Sequence, residues 1–467
     1  MSDEGGHRPE SAQARDAEGV ATGTGAPAGV IRLALPVYVE LLTAVVAVGL
    51  IDLFWVSGLG RQAVAAVTIA TTTEHLALGV VLALGTGTTV LVGRRDGREP
   101  IRPAIRTAWL LWAAASLAVA VPGVLFREPL AGLFTGDAAT AGLTADFYLV
   151  SLAGIPVFYA QTLADGIFKG LGDTTTPMRA ALLCNALVVA LDPLFVYGLD
   201  LGVRGAALAT VLARAVAFAV SLVLLLRRLP RDSRAGASRT DAAEIVRIGL
   251  PMSGDFLARA IVSMIMVEVV GGFGVAALAG YGIGTKIMLA GVMAFYALRQ
   301  ATMIQTARSG EAGPALRYGL LAGLAVAAGL VLSAPFVTGL FTGDPTVVAA
   351  AADFLRWMPL YLVPFGGLIA VGGVLQANGK GGRLLAATLA GFAVQLPLTY
   401  ALGSLAGVTG VWLAMAAGSA LALALATLPI PSWRLRAWRA RRGSGPQNAP
   451  GRAPRSTRTA AGRRSAR

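Results

Sequence analysis

The chain has 467 residues, of which 55% are apolar and only 14% charged, with 58 glycines, one cysteine and a mean hydropathy of +0.68. Soluble domains carry about 25% charged residues, so a multidomain soluble enzyme is excluded, and the recurring apolar runs of about 20 residues indicate helices that cross a bilayer. The net charge of +14 is local: residues 433–467 hold eleven arginines and no acid, so it marks a tail and predicts no nucleic-acid partner.

In chain order, residues 1–28 are polar and mix acids with Arg8 and Arg15. They lack the basic cluster, short apolar core and cleavage site of a signal peptide and read as a disordered cytoplasmic segment. Twelve spans are predicted near 29–57, 63–92, 106–126, 144–171, 177–198, 203–226, 243–272, 276–306, 318–341, 347–376, 383–402 and 408–429. The first six form one lobe (29–226), the last six another (243–430), and the basic stretch 227–242 links them. The Gly-, Pro-, Ser- and Ala-rich tail, 431–467, has the composition of a disordered segment held electrostatically to an anionic leaflet. Arginines cluster after span two (Arg94, Arg95, Arg98, Arg102) and after span six (Arg227, Arg228, Arg231), while the opposite loops hold single charges such as Arg61 and Arg127. The positive-inside rule then places both termini in the cytoplasm and the chain in the inner membrane. Cys184 is alone, which forbids a disulfide, and reads as an apolar filler.

An internal repeat organises the sequence. IRLALP (31–36) recurs as VRIGLP (246–251), GLFTGD (132–137) recurs unchanged at 339–344, and GVRGAALA (202–209) returns as GVTGVWLA (407–414). The expected fold is therefore all-α, twelve transmembrane helices in two homologous six-helix bundles. Six spans is an even number, so the halves share an orientation and their pseudo-two-fold axis lies along the membrane normal.

Ionisable residues at membrane depth cost several kcal/mol and are functional candidates. Asp52 (span one), Asp192 (span five) and Glu268 (span seven) lie deepest. Glu40 and Asp255 each follow by four residues the proline opening their repeat, which suggests a shared device at a helix start. Asp165 and Lys169 have the spacing of a helix ion pair. Asp192 has no acidic counterpart in the second half. Asn185, about two turns before it, shares its face, and Pro193 is expected to loosen the helix one turn earlier. These oxygen donors suit a proton or a hard monovalent cation, and no metal site is expected from His7 and His75. Glu268, the one deep acid of the second half, is expected in a substrate cavity, where a carboxylate attracts cations.

LALPVYVELLTAVVAVGLIDLFWVSGLG, FKGLGDTTTP and ALDPLFVYGLDLGVRGAALATV resemble the opening, the loop before span five and the span five to six signature of the MATE multidrug and toxic compound extrusion transporters. GIGTKI and VLQANGKGG repeat the pattern in the second half, and the resemblance is greatest to the DinF-like subgroup. It implies a cation site of Asp52, Asp192 and Thr210, with Val188 standing where the subgroup has an asparagine and Asn185 as the available amide. It further implies an antiporter, coupled to H+ or Na+ with no other cofactor. Such a protein would work as a monomer among membrane lipids, and alternating access would export amphipathic, cationic small molecules. The rival within the same superfamily is a lipid-linked oligosaccharide flippase, which needs a cationic cavity; only Lys286 and Arg299 suggest themselves from sequence. An embedded transferase would need acid clusters in a catalytic loop, which the sequence lacks, so no enzyme activity is expected.

Overall fold

In both copies of GLFTGD the closing aspartate caps a helix. Asp137 accepts from Thr140 N at 2.9 Å at the start of Ala138–Ala153, and Asp344 from Thr346 N at 2.8 Å at the start of Pro345–Trp357. Hydrogen bonds from these threonines hold both carboxyls below the usual carboxylate range. The repeat thus preserves a helix start, where a carboxylate satisfies amides that have no partner inside the helix.

The computed structural model describes residues 27–229, 236–340 and 342–428. The N-terminal segment to residue 26, part of the expected linker and the basic tail from 429 lie outside them. Span one comprises α1 (Pro27–Leu41), a π-helical turn (Leu42–Ala47) and α2 (Val48–Ser57). The first bundle continues with α3 (Arg61–Arg95), α4 (Arg102–Leu125), the short α5 (Arg127–Gly132), α6 (Ala138–Ala153), α7 (Ile155–Gly170), α8 (Thr175–Pro193), a second π-helical turn (Leu194–Gly198) and α9 (Gly202–Arg228). The second bundle consists of α10 (Arg239–Gly271), α11 (Val275–Ser309), α12 (Ala315–Gly339), α13 (Pro345–Trp357), α14 (Pro359–Ala377) and α15 (Gly381–Thr427). α15 is two spans joined where Ala406 and Gly407 leave helical geometry. α6 and α7 form one span bent by 45°. With α13 and α14 also taken together, the described helices make the twelve expected crossings in two bundles. The described residues to Ala426 form one compact unit, and the next unit is described only at Thr427 and Leu428.

Equivalent turns in the halves share backbone geometry: Gly60 and Gly274 have φ of 101° and 109°, and Gly172 and Gly379 have 82° and 69°. These left-handed values favour glycine. The first bundle packs around Phe147, Tyr148 and Tyr159, the second around Tyr281, Phe354 and Trp412.

Asp173 starts α8. It accepts from Thr175 N at 2.9 Å and Thr176 N at 3.0 Å and pairs with Arg228. Partial burial works against its charge, yet hydrogen bonds from Thr176, Thr175 and Arg228 hold the carboxyl well below its ordinary value. A pKa lowered by folding means stability that is present above the ordinary carboxylate pKa, about 4, and lost as pH falls below it. Asp173→Ala is therefore expected to lower thermal stability at pH 7 by about 1–2 kcal/mol, the usual cost of a lost cap. The deficit against the unmodified protein should shrink below about pH 4. A deficit that is constant across pH would show that the charged cap contributes nothing.

The bundles meet closely at the end carrying Arg94 and Arg95. Arg95 binds Asp241 through two bonds of 2.7 and 2.9 Å. Arg94 reaches Glu244 at 2.7 Å and the Ala377 carbonyl, and Arg308 pairs with Asp96 at 3.0 Å. Two of the arginines that suggested orientation from sequence thus also tie the halves together.

Candidate functional site

Asp52 on α2 and Asp192 on α8 are brought together from spans one and five, each next to a π-helical turn in its own span. Such wide turns are frequent at functional sites. Pro193 does mark a distortion, but on its C-terminal side: Leu199 N donates to Leu194 O, the i→i+5 bond of the wider turn. Proline fits the end of α8, at φ −60°, so the break follows the ring and not the preceding turn. Tyr197 on that turn donates to the Trp55 carbonyl at 2.5 Å, fastening span five to span one.

The carboxyl groups are almost wholly buried, with Asp52 at 4% and Asp192 at 0% exposure, and act directly on one another. Thr210 on α9 donates to Asp52 Oδ1 at 3.3 Å. Both oxygens of Asp192 lack a hydrogen-bond donor. Like charges at such range in an apolar setting cannot both persist without a proton or a cation between them. A chamber of about 150 Å³ opens on Asp52 and Thr210, lined also by Glu74, Phe158 and Arg214. Arg214 lies one turn beyond Thr210 with its guanidinium 4.3 Å from the centre of the Phe158 ring.

Asn185 does not join this group. Seven residues of helix span about 10 Å, so sharing the face of Asp192 leaves it too far along the axis. It lines instead the adjoining central cavity of about 290 Å³, which shares Glu74, Phe158 and Arg214 with the chamber. Val188, where an amide was expected from the resemblance, is fully buried among Cys184, Ala213 and Ala217.

The central cavity is lined from both bundles, by Glu40, Asp165, Lys169, Gln161 and Arg214 of the first and by Tyr296, Arg299 and Gln376 of the second. Lys169 was expected to pair with Asp165 along the helix; it binds Glu40 across to span one at 2.7 Å, while Asp165 accepts from Gln161 at 2.8 Å. In the second bundle Asp255, the repeat partner of Glu40, pairs with Arg259 at 3.1 Å and Arg299 at 3.6 Å and accepts from Thr388. The matched acids do share a device, a buried carboxylate with a cation, but not at the expected helix start. Glu40 lies at the C-terminal end of α1 and Asp255 in the middle of α10, so side-chain cations and not a helix dipole are their partners.

Glu268 was expected in a substrate cavity. It is exposed and lines neither of these two cavities. The inward face of α10 near it is Val262, Met266 and Val270, one turn apart each, and Glu268 lies between their positions. Lys286 is also exposed. Lys169 and Arg214 join Arg299 at the cavity, so intramembrane cations are more numerous than the sequence reading allowed. The available signal for Arg214 was its position four residues after Thr210.

The MatE family model matches residues 36–194 and 251–401. The chain belongs to the MatE family. The matched segments open at Pro36 and Pro251, the prolines that begin the two repeats. Among curated relatives, the FAD transporter of Shewanella oneidensis is 25% identical over 415 residues, covering 84% of this chain and 91% of that protein. The multidrug export protein MepA of Staphylococcus aureus is 22% identical over 413 residues, again covering 84% and 91%. Among solved structures, the MATE transporter VcmN of Vibrio cholerae in its bent form superposes with a TM-score of 0.80 at 21% identity, over 88% of this chain and 97% of that one. This MatE protein is a multi-pass membrane transporter and not an enzyme.

Proposed function

We propose that the chain exports amphipathic small molecules by alternating access, driven by a cation that neutralises the Asp52–Asp192 pair. The observation that carries this reading is the Asp192 carboxylate, fully buried, without a donor on either oxygen and against a second carboxylate. Whichever arrangement of the bundles binds the cation better is favoured by it, so the gradient drives the cycle. The names of the relatives, an FAD transporter and a multidrug export protein, support a small organic cargo. The loop arginines support an inner-membrane placement with both termini inside, and a monomer is sufficient because each chain holds both bundles.

The coupling ion is read as a proton. Val188 removes an oxygen ligand, and Arg214 beside Asp52 already supplies a fixed positive charge, since arginine does not deprotonate in proteins. Both features weaken a Na+ site more than a proton site. In proteoliposomes a pH gradient alone, in Na+-free buffer, is expected to drive transport at the full rate. Strict dependence on Na+ at fixed pH would reverse the assignment.

The expectation of a cationic cargo came from the family resemblance, with Glu268 as the residue offered for it, and the place of Glu268 outside these two cavities removes that residue's support. The central cavity is the better guide to cargo charge.

A further inference from the structure

The two walls of the central cavity offer opposite chemistry. On the first bundle's wall, Glu40 Oε2, Gln161 Oε1 and both polar atoms of Asn185 are buried without a hydrogen-bond partner; on the second bundle's wall the same holds for Arg299 Nη2, while Nη1 has only the 3.6 Å ion-pair contact with Asp255. Glu40, Asn185 and Arg299 are only 8%, 9% and 2% exposed. Buried polar atoms are nearly always satisfied, and several orphans converging on one cavity from two sides point to a ligand that satisfies them.

Charge follows the same division. Along the first wall three carboxyl groups, Glu40, Glu74 and Asp165, stand with two cations, Lys169 and Arg214. Behind the second, two guanidinium groups, Arg259 and Arg299, share one carboxylate, Asp255. Gln376 accepts from Arg299 Nε at 3.1 Å and Nη1 faces Asp255 at 3.6 Å, which anchors one edge of the guanidinium and leaves Nη2 for the cavity.

We propose that the cavity binds a bipolar small molecule that bridges the bundles. Its anionic group, a carboxylate or phosphate, docks on Arg299, and its protonated amine or other N–H donor docks on Glu40, Gln161 and Asn185. A purely cationic molecule satisfies one wall and leaves Arg299 unmatched; a purely anionic one does the reverse. The volume of about 290 Å³ lies at the lower end of ligand pockets, about 300–1,000 Å³, and suits a compact amphiphile. This inference names the cargo class of the transporter proposed above and rests on that reading for transport, though not for binding.

The test uses the full-length protein and three probes of one shape: tryptophan, its methyl ester and N-acetyltryptophan, which are zwitterion, cation and anion. Equilibrium binding to purified protein is expected to favour tryptophan by about ten-fold or more over either derivative, because each charge-assisted contact is worth at least one decade in affinity. Arg299→Gln should bring tryptophan down to the ester while leaving the ester unchanged, and Asn185→Leu, which breaks no ion pair, should bring it towards N-acetyltryptophan. Equal binding of the three probes by the unmodified protein overturns the proposal, whatever the variants do. So does an Arg299→Gln variant that weakens the ester as much as the zwitterion. Asp192→Asn should keep the binding order and lose gradient-driven movement; if it moves probe like the unmodified protein, the coupling reading fails while the binding order stands.

Discussion

Asp192→Asn is expected to abolish coupled export while leaving membrane yield and melting temperature at or above those of the unmodified protein. The side chain is fully buried and its direct partner is the Asp52 carboxyl, so the amide keeps its volume and its N–H can donate to that carboxylate in place of the shared proton. It also relieves the repulsion from Asp52, which is why stability should not fall. What disappears is the second exchangeable charge. One charge crossing about 100 mV is worth roughly 2.3 kcal/mol, on the order of a forty-fold concentration gradient. The variant should therefore let cargo equilibrate across a vesicle membrane without sustaining that gradient, as read by cargo distribution in proteoliposomes under an imposed pH difference. Pumping at the unmodified level would remove Asp192 from the coupling site. Asp52→Asn should lose coupling too, with an additional small loss of stability, because Asp52 accepts from Thr210.

The bundles and the spans were legible in the sequence, because period, repeat and hydropathy are properties of the chain itself; hydropathy also marked Asp52 and Asp192 as deep acids, but their meeting with Thr210 was implied only by the family resemblance. The errors have three physical origins. In a helix that is apolar all round, the pattern does not say which face meets lipid and which meets protein. Glu268, flanked by valines, looks as deep as Asp52, yet it is exposed while Asp52 is buried. Asn185 shows a second limit: angular phase around α8 was read correctly, but phase carries no information about the distance along the axis. The Lys169–Glu40 pair shows a third, since spacing proposes partners on the same helix while the actual partner lies 129 residues away in sequence. Arg299 and Gln376 fall in different spans, and only packing shows that they shape one wall.

Gly249→Val is expected to hold the bundles apart at the Arg94–Arg95 end and to reduce transport on the order of a hundred-fold, with each bundle still folded. A Cβ on Gly249 would lie 1.8 Å from the Ala83 carbonyl oxygen, and one on Gly87 would lie 2.2 Å from that of Ile245. α3 and α10 therefore touch backbone to backbone from both sides, and no rotamer change relieves a clash with a carbonyl. The three atoms nearest that Cβ all belong to Ala83 of the opposite bundle, so the clash acts first between the bundles and not within the second one. A transporter that alternates must make and break this contact in each cycle. Moving a two-state balance from 1:99 to 99:1 takes about 5.5 kcal/mol, and a steric block of this kind supplies a penalty of that order against the closed arrangement. Spin labels at Arg98 and Thr240, both exposed, in a Cys184→Ser background, report the separation directly. The expected result is a longer mean distance in Gly249→Val, a smaller increase in Gly249→Ala, and weakened Arg95–Asp241 pairing in both. An unchanged distance distribution together with unimpaired transport would mean that the close approach of α3 and α10 is not part of the moving interface.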